Sequence, residues 1–111
     1  MRIPKFRIEF LEEAMELLDR LDGPVRDKII YNMTKTRYLN EKKLFKKLTG
    51  NIWEFRTLFK KSHYRFFAFW EDLKDSRPVV IVTHGIIKKT DKTPKSDIIK
   101  AEEIRKRFLV D

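Results

Sequence analysis

The chain contains no cysteine, which excludes a disulfide scaffold and a thiolate nucleophile. Histidine is nearly as scarce: with only His63 and His84 and no thiols, a structural zinc site lacks ligands. Long apolar runs are missing too. The strongest, "PVVIVTHGII" at 78–87, falls far short of the ~20 residues of a membrane-spanning helix. The opening "MRIPKFRIEF" has no uninterrupted apolar segment of the kind that a secretory signal carries. There is no Gly-rich phosphate loop, no Ser/His/Asp order, no internal repeat and no low-complexity segment. Together these absences lead us to expect a cytoplasmic protein that uses no cofactor and does not engage a membrane.

What is present suits one packed unit. A length of 111 residues leaves no material for a second core, so a single domain over 1–111 is expected. Nine Phe, three Tyr and two Trp supply core even though 39% of the residues are charged, so whole-chain disorder is excluded. The net charge of +9 is unevenly spread: residues 1–34 carry six Lys/Arg against seven Asp/Glu, and residues 35–65 carry ten against two. A basic region segregated in this way suits a phosphate backbone or an acidic protein partner.

The pattern along the chain predicts an order β-α-α-β-β-β-α and an α+β fold. "KFRIEF" alternates, with Phe6, Ile8 and Phe10 on one side of a strand. A helical period follows through Leu11, Ala14, Met15, Leu18 and Leu21. "DGP" at 22–24 ends that helix, with Gly23 past its C-terminus and Pro24 in the first turn of the next. Val25, Ile29, Ile30 and Met33 mark the second helix, to about Tyr38. "LNEKKLFKKLTGN" reads as a basic connector whose Leu44, Phe45 and Leu48 dock while Lys42, Lys43, Lys46 and Lys47 face water. "IWEFRTLF" and "YRFFAFWE" then form a hairpin across "KKSH". A polar loop over 72–77 leads to the apolar strand "PVVIVTHG", central and covered on both faces. Thr93 and Pro94 start a last helix that docks through Ile98, Ala101 and Phe108. The last three strands form an antiparallel meander. The helical hairpin covers one face of the sheet, and the other is expected to stay open, with Glu54, Arg56 and Arg65 on it.

In this order, "KLFKKLTGNIWEFR", "YRFFAFW" and "HGIIKKTDKTP" resemble the RelE/ParE superfamily of bacterial type II toxins, and within it the HigB-like, phage-related branch. The resemblance covers roughly residues 44–105 and rests on L-x-G-x-x-W-E-x-R combined with H-G-x-x-K-K-T-x-K-T-P. It implies a RelE/ParE-like fold with a helical hairpin on one face. It further implies a toxin that cleaves mRNA on the translating ribosome without a metal ion, and a cognate antitoxin, expected to be a helix-turn-helix DNA-binding protein. Two other readings stay open: a ParE-like inhibitor of DNA gyrase, and a nucleic-acid-binding protein without catalysis.

Metal-free RNA cleavage must deprotonate a 2′-hydroxyl, stabilise charge on the phosphorane and protonate the departing 5′-oxygen. Arg56 and Arg65 are candidates for the second task, because a guanidinium fork grips phosphate oxygens in pairs. Glu54 shares their face and is either a general base or an ion-pair partner of Arg56. The best-known RelE members carry a basic residue at this position, so the base stays unassigned. Lys89 is a further catalytic candidate. Lys88 and Lys92, before the last helix, and Lys46 and Lys47 in the connector are candidate phosphate contacts; Asp91 alone balances the former group. His84 is either a proton carrier or a buried hydrogen-bonding residue. Tyr64 and Trp53 either stack on bases or belong to the core.

Overall fold

A computed structural model describes residues 2–72 and 77–110. The chain forms strand β1 (Arg7–Phe10), helices α1 (Glu12–Arg20) and α2 (Gly23–Thr36), strands β2 (Phe45–Thr49), β3 (Ile52–Phe59), β4 (Ser62–Glu71) and β5 (Val79–Lys88), and helix α3 (Lys95–Val110). One five-stranded sheet runs in the order β1-β5-β4-β3-β2. β1 lies parallel to β5 and every other pair is antiparallel. The fold is therefore α+β, as expected, with one strand more than the sequence pattern suggested. Of the polar loop expected over 72–77, residues 73–76 lie outside the described residues.

The additional strand is β2. Its two lysines hide the alternation that marks a strand, yet Phe45 reaches the core under the helical hairpin and Leu48 reaches the opposite layer. Lysines on an edge strand discourage pairing with other chains. Other expectations shift by a position or two. Gly23 lies inside the first turn of α2 rather than beyond the end of α1, because Asp22 already precedes the helix in extended conformation. Met15 is exposed and Leu17 is buried, since α1 starts only after Leu11 and its inner stripe is Ala14, Leu17, Leu18 and Leu21. Ile30 is likewise outside the stripe of α2, which stops at Thr36.

Two apolar layers sandwich the sheet. On one side α1 and α2 cover Phe55, Phe66, Ala68, Val80 and Val82, and an aromatic group joins Phe6, Phe45, Trp53 and Trp70. Phe45 stacks on Phe55 with 4.2 Å between ring centroids. On the other side α3 covers Ile52, Phe67, Phe69, Val79 and Ile81, with Ala101 at the contact and Ile98 beside it. This second layer corrects the expectation of an open face, and it changes the surroundings of every charged residue expected there.

The centre of β5 carries an irregularity that sets the layers. Phe67 pairs with His84 but Ala68 pairs with Val82, so Thr83 is an extra residue and its hydroxyl donates to the Phe67 carbonyl at 3.2 Å. Val82 therefore faces the hairpin, while His84 faces α3 and stacks on Phe67 at 4.9 Å. Gly85 then faces α1, where a Cβ would stand 2.6 Å from Phe66 Cε2 and 2.7 Å from Leu17 Cδ2. The β3–β4 hairpin turns through Lys60 and Lys61, both with positive φ (48° and 68°), the backbone that a two-residue turn of this twist requires.

Candidate active site

Arg56 on β3 and Arg65 on β4 are direct partners across the antiparallel pair. Like charges placed opposite one another are destabilising unless anions separate them. Two carboxylates do so here. From within the sheet, Glu54 Oε1 accepts from Arg65 Nη1 at 3.0 Å and lies 3.4 Å from Arg56 Nε. From the loop before α3, Asp91 Oδ1 accepts from Arg56 Nη2 at 2.8 Å and also from Arg65 Nη2. The Asp91 carbonyl takes a further bond from Arg65 Nη2 at 3.2 Å.

Burial separates these four groups into an inner and an outer pair. Glu54 and Arg65 are 1% and 2% exposed, because α3 and the 89–94 loop close over them. Arg56 is 23% exposed and Asp91 72%. The hydrogen bond from Arg65, reinforced by the charge of Arg56, holds the Asp91 carboxyl below the usual carboxylate range. Thr93 completes the inner group: its hydroxyl donates to Glu54 Oε2 at 2.8 Å and lies 3.3 Å from Arg65 Nη1. Thr93 is thus committed to Glu54 rather than to capping α3, which begins at Lys95. Both oxygens of Glu54 are occupied by donors, and the guanidinium hydrogen-bonded to it is that of Arg65 rather than Arg56, the partner expected from the sequence.

His63 lies at the rim. Its Nδ1 is 3.5 Å from Arg65 Nη2 and 3.9 Å from Asp91 Oδ1. It opens, with Arg56 and Asp91, onto a cleft of about 720 Å³ that residues of α2 also line. Sequence reasoning gave no place to Asp91 beyond balancing lysines. The available signal was a lone acid at the centre of "KKTDKTP", in a loop that must pass the strand ends.

The lysines scatter. Lys89 Nζ donates to Ser62 Oγ at 3.0 Å, beside His63 in the chain. Lys88 ends β5 opposite His63, and Lys92 is exposed in the loop. Lys46 is the cross-strand partner of Glu54 and Lys47 that of Trp53, so the two stand on opposite faces of the edge strand and cannot follow one phosphate track. None of these five lines the cleft. His84 is fully buried: Nε2 lies 3.1 Å from Asp97 Oδ1 and Nδ1 lies 3.0 Å from Thr83 Oγ1. Burial lowers its pKa, against the raising influence of the Asp97 hydrogen bond. It belongs to the α3 contact and has no bond to the arginine cluster. Tyr64 and Trp53 pack against the core under the hairpin.

Among the described residues, no three His, Asp or Glu side chains gather as metal ligands, and no helix is long and apolar enough to cross a membrane. What the cluster offers is two guanidinium groups held side by side, one fixed from below and both bridged from outside by a carboxylate. A search of curated proteins finds no match. The phage-derived protein family described as Gp49-like (DUF891) matches residues 16–106, most of the chain and all of the arginine cluster. The chain belongs to this Gp49-like family, a RelE/HigB-like toxin family.

Proposed function

We propose that the protein is the toxin of a type II toxin-antitoxin system, a HigB-like mRNA endonuclease acting on the translating ribosome. The observation that carries this reading is the bridge from Asp91 to Arg56 and Arg65, because a site where two guanidinium forks share one exposed carboxylate also accepts a phosphate. In the proposed reaction the scissile phosphate displaces Asp91. The 2′-hydroxyl gives up its proton as its oxygen attacks phosphorus, the bond from phosphorus to the 5′-oxygen breaks, and that oxygen takes up a proton, leaving a cyclic phosphate and a free 5′-hydroxyl. Arg56 and Arg65 stabilise the charge that builds on the phosphorane. Glu54 and Thr93 hold Arg65 in position rather than moving protons. His63 is the side chain near the arginines with chemistry suited to proton exchange, and Lys89 adds positive charge at the same end of β4. With so little acid/base equipment, the ribosome supplies much of the alignment.

The system also requires a cognate antitoxin, which we propose to be a helix-turn-helix DNA-binding protein that docks either on the arginine cluster through acidic residues or on the helical hairpin. Induction of the wild type is expected to cut mRNA within translated regions while free RNA stays largely intact. Arg56→Ala is the informative variant, since Arg56 is the outer arginine. It should stay folded with at most a small fall in melting temperature and lose activity on the order of 10²- to 10³-fold, the scale of a lost oxyanion donor. Full activity of a folded Arg56→Ala would remove this assignment. Failed DNA supercoiling with intact mRNA would transfer the protein to the gyrase-inhibitor class.

A further inference from the structure

One face of α2 contributes to the border of the cleft at Arg56. Lys28, Tyr31, Asn32 and Lys35 recur at spacings of three and four residues and all border the same space. Asn32 is the buried member: its Nδ2 donates to Thr57 Oγ1 of β3 at 3.0 Å, which fixes the helix against the strand that carries Arg56. The other three stand free of the core. Tyr31 is 61% exposed, and Lys28 Nζ lies 5.5 Å from the centre of its ring. Lys43, from the loop before β2, borders the same cleft, as do Arg56 and Arg65. Glu41 and Asp91 are the acids that border it, and Asp91 is already paired with arginine.

We propose that this cleft is a binding site for single-stranded RNA, in which Tyr31 stacks on a base and Lys28, Lys35 and Lys43 contact the phosphates leading to Arg56. The inference rests on the endonuclease reading and extends it to residues outside the arginine cluster. Its volume of about 720 Å³ falls within the range of sites that hold small ligands, ~300–1,000 Å³. An exposed aromatic ring flanked by cations is the arrangement that binds unpaired bases regardless of sequence, because every base has a π-face and every step a phosphate. A duplex would not serve, since its bases are already stacked. An acidic protein segment would use the lysines but would gain nothing from the ring.

The test is fluorescence anisotropy with a short labelled single-stranded RNA, alongside a separate assay of mRNA cleavage on ribosomes. Tyr31→Ala should weaken RNA binding about tenfold or more, and Tyr31→Phe should restore it. Lys35→Ala should lower the steepness of the salt dependence by about 0.7 in the log–log slope, the contribution of one single-strand phosphate contact. Wild-type affinity in Tyr31→Ala, or no binding of the RNA by the wild type, would overturn the proposal. So would a polyglutamate peptide that displaces the RNA and binds Tyr31→Ala as well as the wild type, which would assign the cleft to a protein. If Tyr31→Ala binds normally while Arg56→Ala stops cleavage, this inference fails and the endonuclease reading stands. If Tyr31→Ala loses RNA while no cleavage is ever seen, the reverse holds.

Discussion

Arg56 and Arg65 look equivalent in the sequence, each interrupting an aromatic strand, and the fold makes them opposites. Arg65 is the buried partner of a buried Glu54. Removing one member of such a pair strands the other without a counter-charge, which typically costs about 3–5 kcal/mol. Arg65→Ala is therefore expected to lower the urea midpoint sharply, whereas Arg56→Ala should cost about 1 kcal/mol or less. Equal midpoints for the two variants would refute this division. The alternation of "IWEFRTLF" and "YRFFAFWE" was enough to put Glu54, Arg56 and Arg65 on one face. Their burial was also foreshadowed, because Phe67 and Phe69 share that face and an open one would leave both in water. Asp91 and Thr93 could not be read in the same way. They reach the cluster from a loop, where no period relates a residue to its neighbours in space.

Among the elements, β5 departs furthest from a simple pattern. Its apolar run correctly predicts a strand covered on both sides, but the extra Thr83 means that no single alternation describes it. Residues 79–82 and 84–86 follow two phases, and only the pairing with β4 reveals where one becomes the other. The position with least tolerance follows directly. Gly85 lies beneath Leu17 of α1 and beside the Phe66 ring, so Gly85→Ala must push two packed side chains apart. Overpacking of this kind costs about 1–3 kcal/mol. The expected result is a lower urea midpoint for Gly85→Ala, recovered in part by combination with Leu17→Ala; an unchanged midpoint would mean that α1 yields without strain. β2 escaped the sequence pattern for the opposite reason. Only five residues long, with two lysines at its centre, it has too few apolar positions to display a period, and its pairing with β3 identifies it.

At the scale of the whole molecule, the excess of positive charge between residues 35 and 65 was legible as a local field, but its distribution was not. The fold divides it among an edge strand, a hairpin turn and the cleft under α2. It also joins distant segments through His84, which ties β5 to α3 by way of Asp97, with Lys100 and Glu13 as further charged neighbours. The pKa of His84 is lowered on folding, so below the ordinary value of 6.5 the unfolded chain takes up a proton that the folded one refuses. Stability should then fall as the pH drops through 6.5 toward the folded value. Urea titrations at several pH values check this, and His84→Asn should flatten the decline; an identical decline in the variant would exclude His84 as its source. The position of β5 has a last consequence. It is the final strand to be made, yet it lies second in the sheet, between β1 and β4. Before it is made β1 has no partner strand and the packing of α2 on β3 is the main link between the two halves, and Asp91 and Thr93 come later still. A chain broken off before β5 therefore lacks both the strand that joins β1 to β4 and the residues that bridge Arg56 and Arg65, so the cluster is complete only once synthesis has passed Thr93.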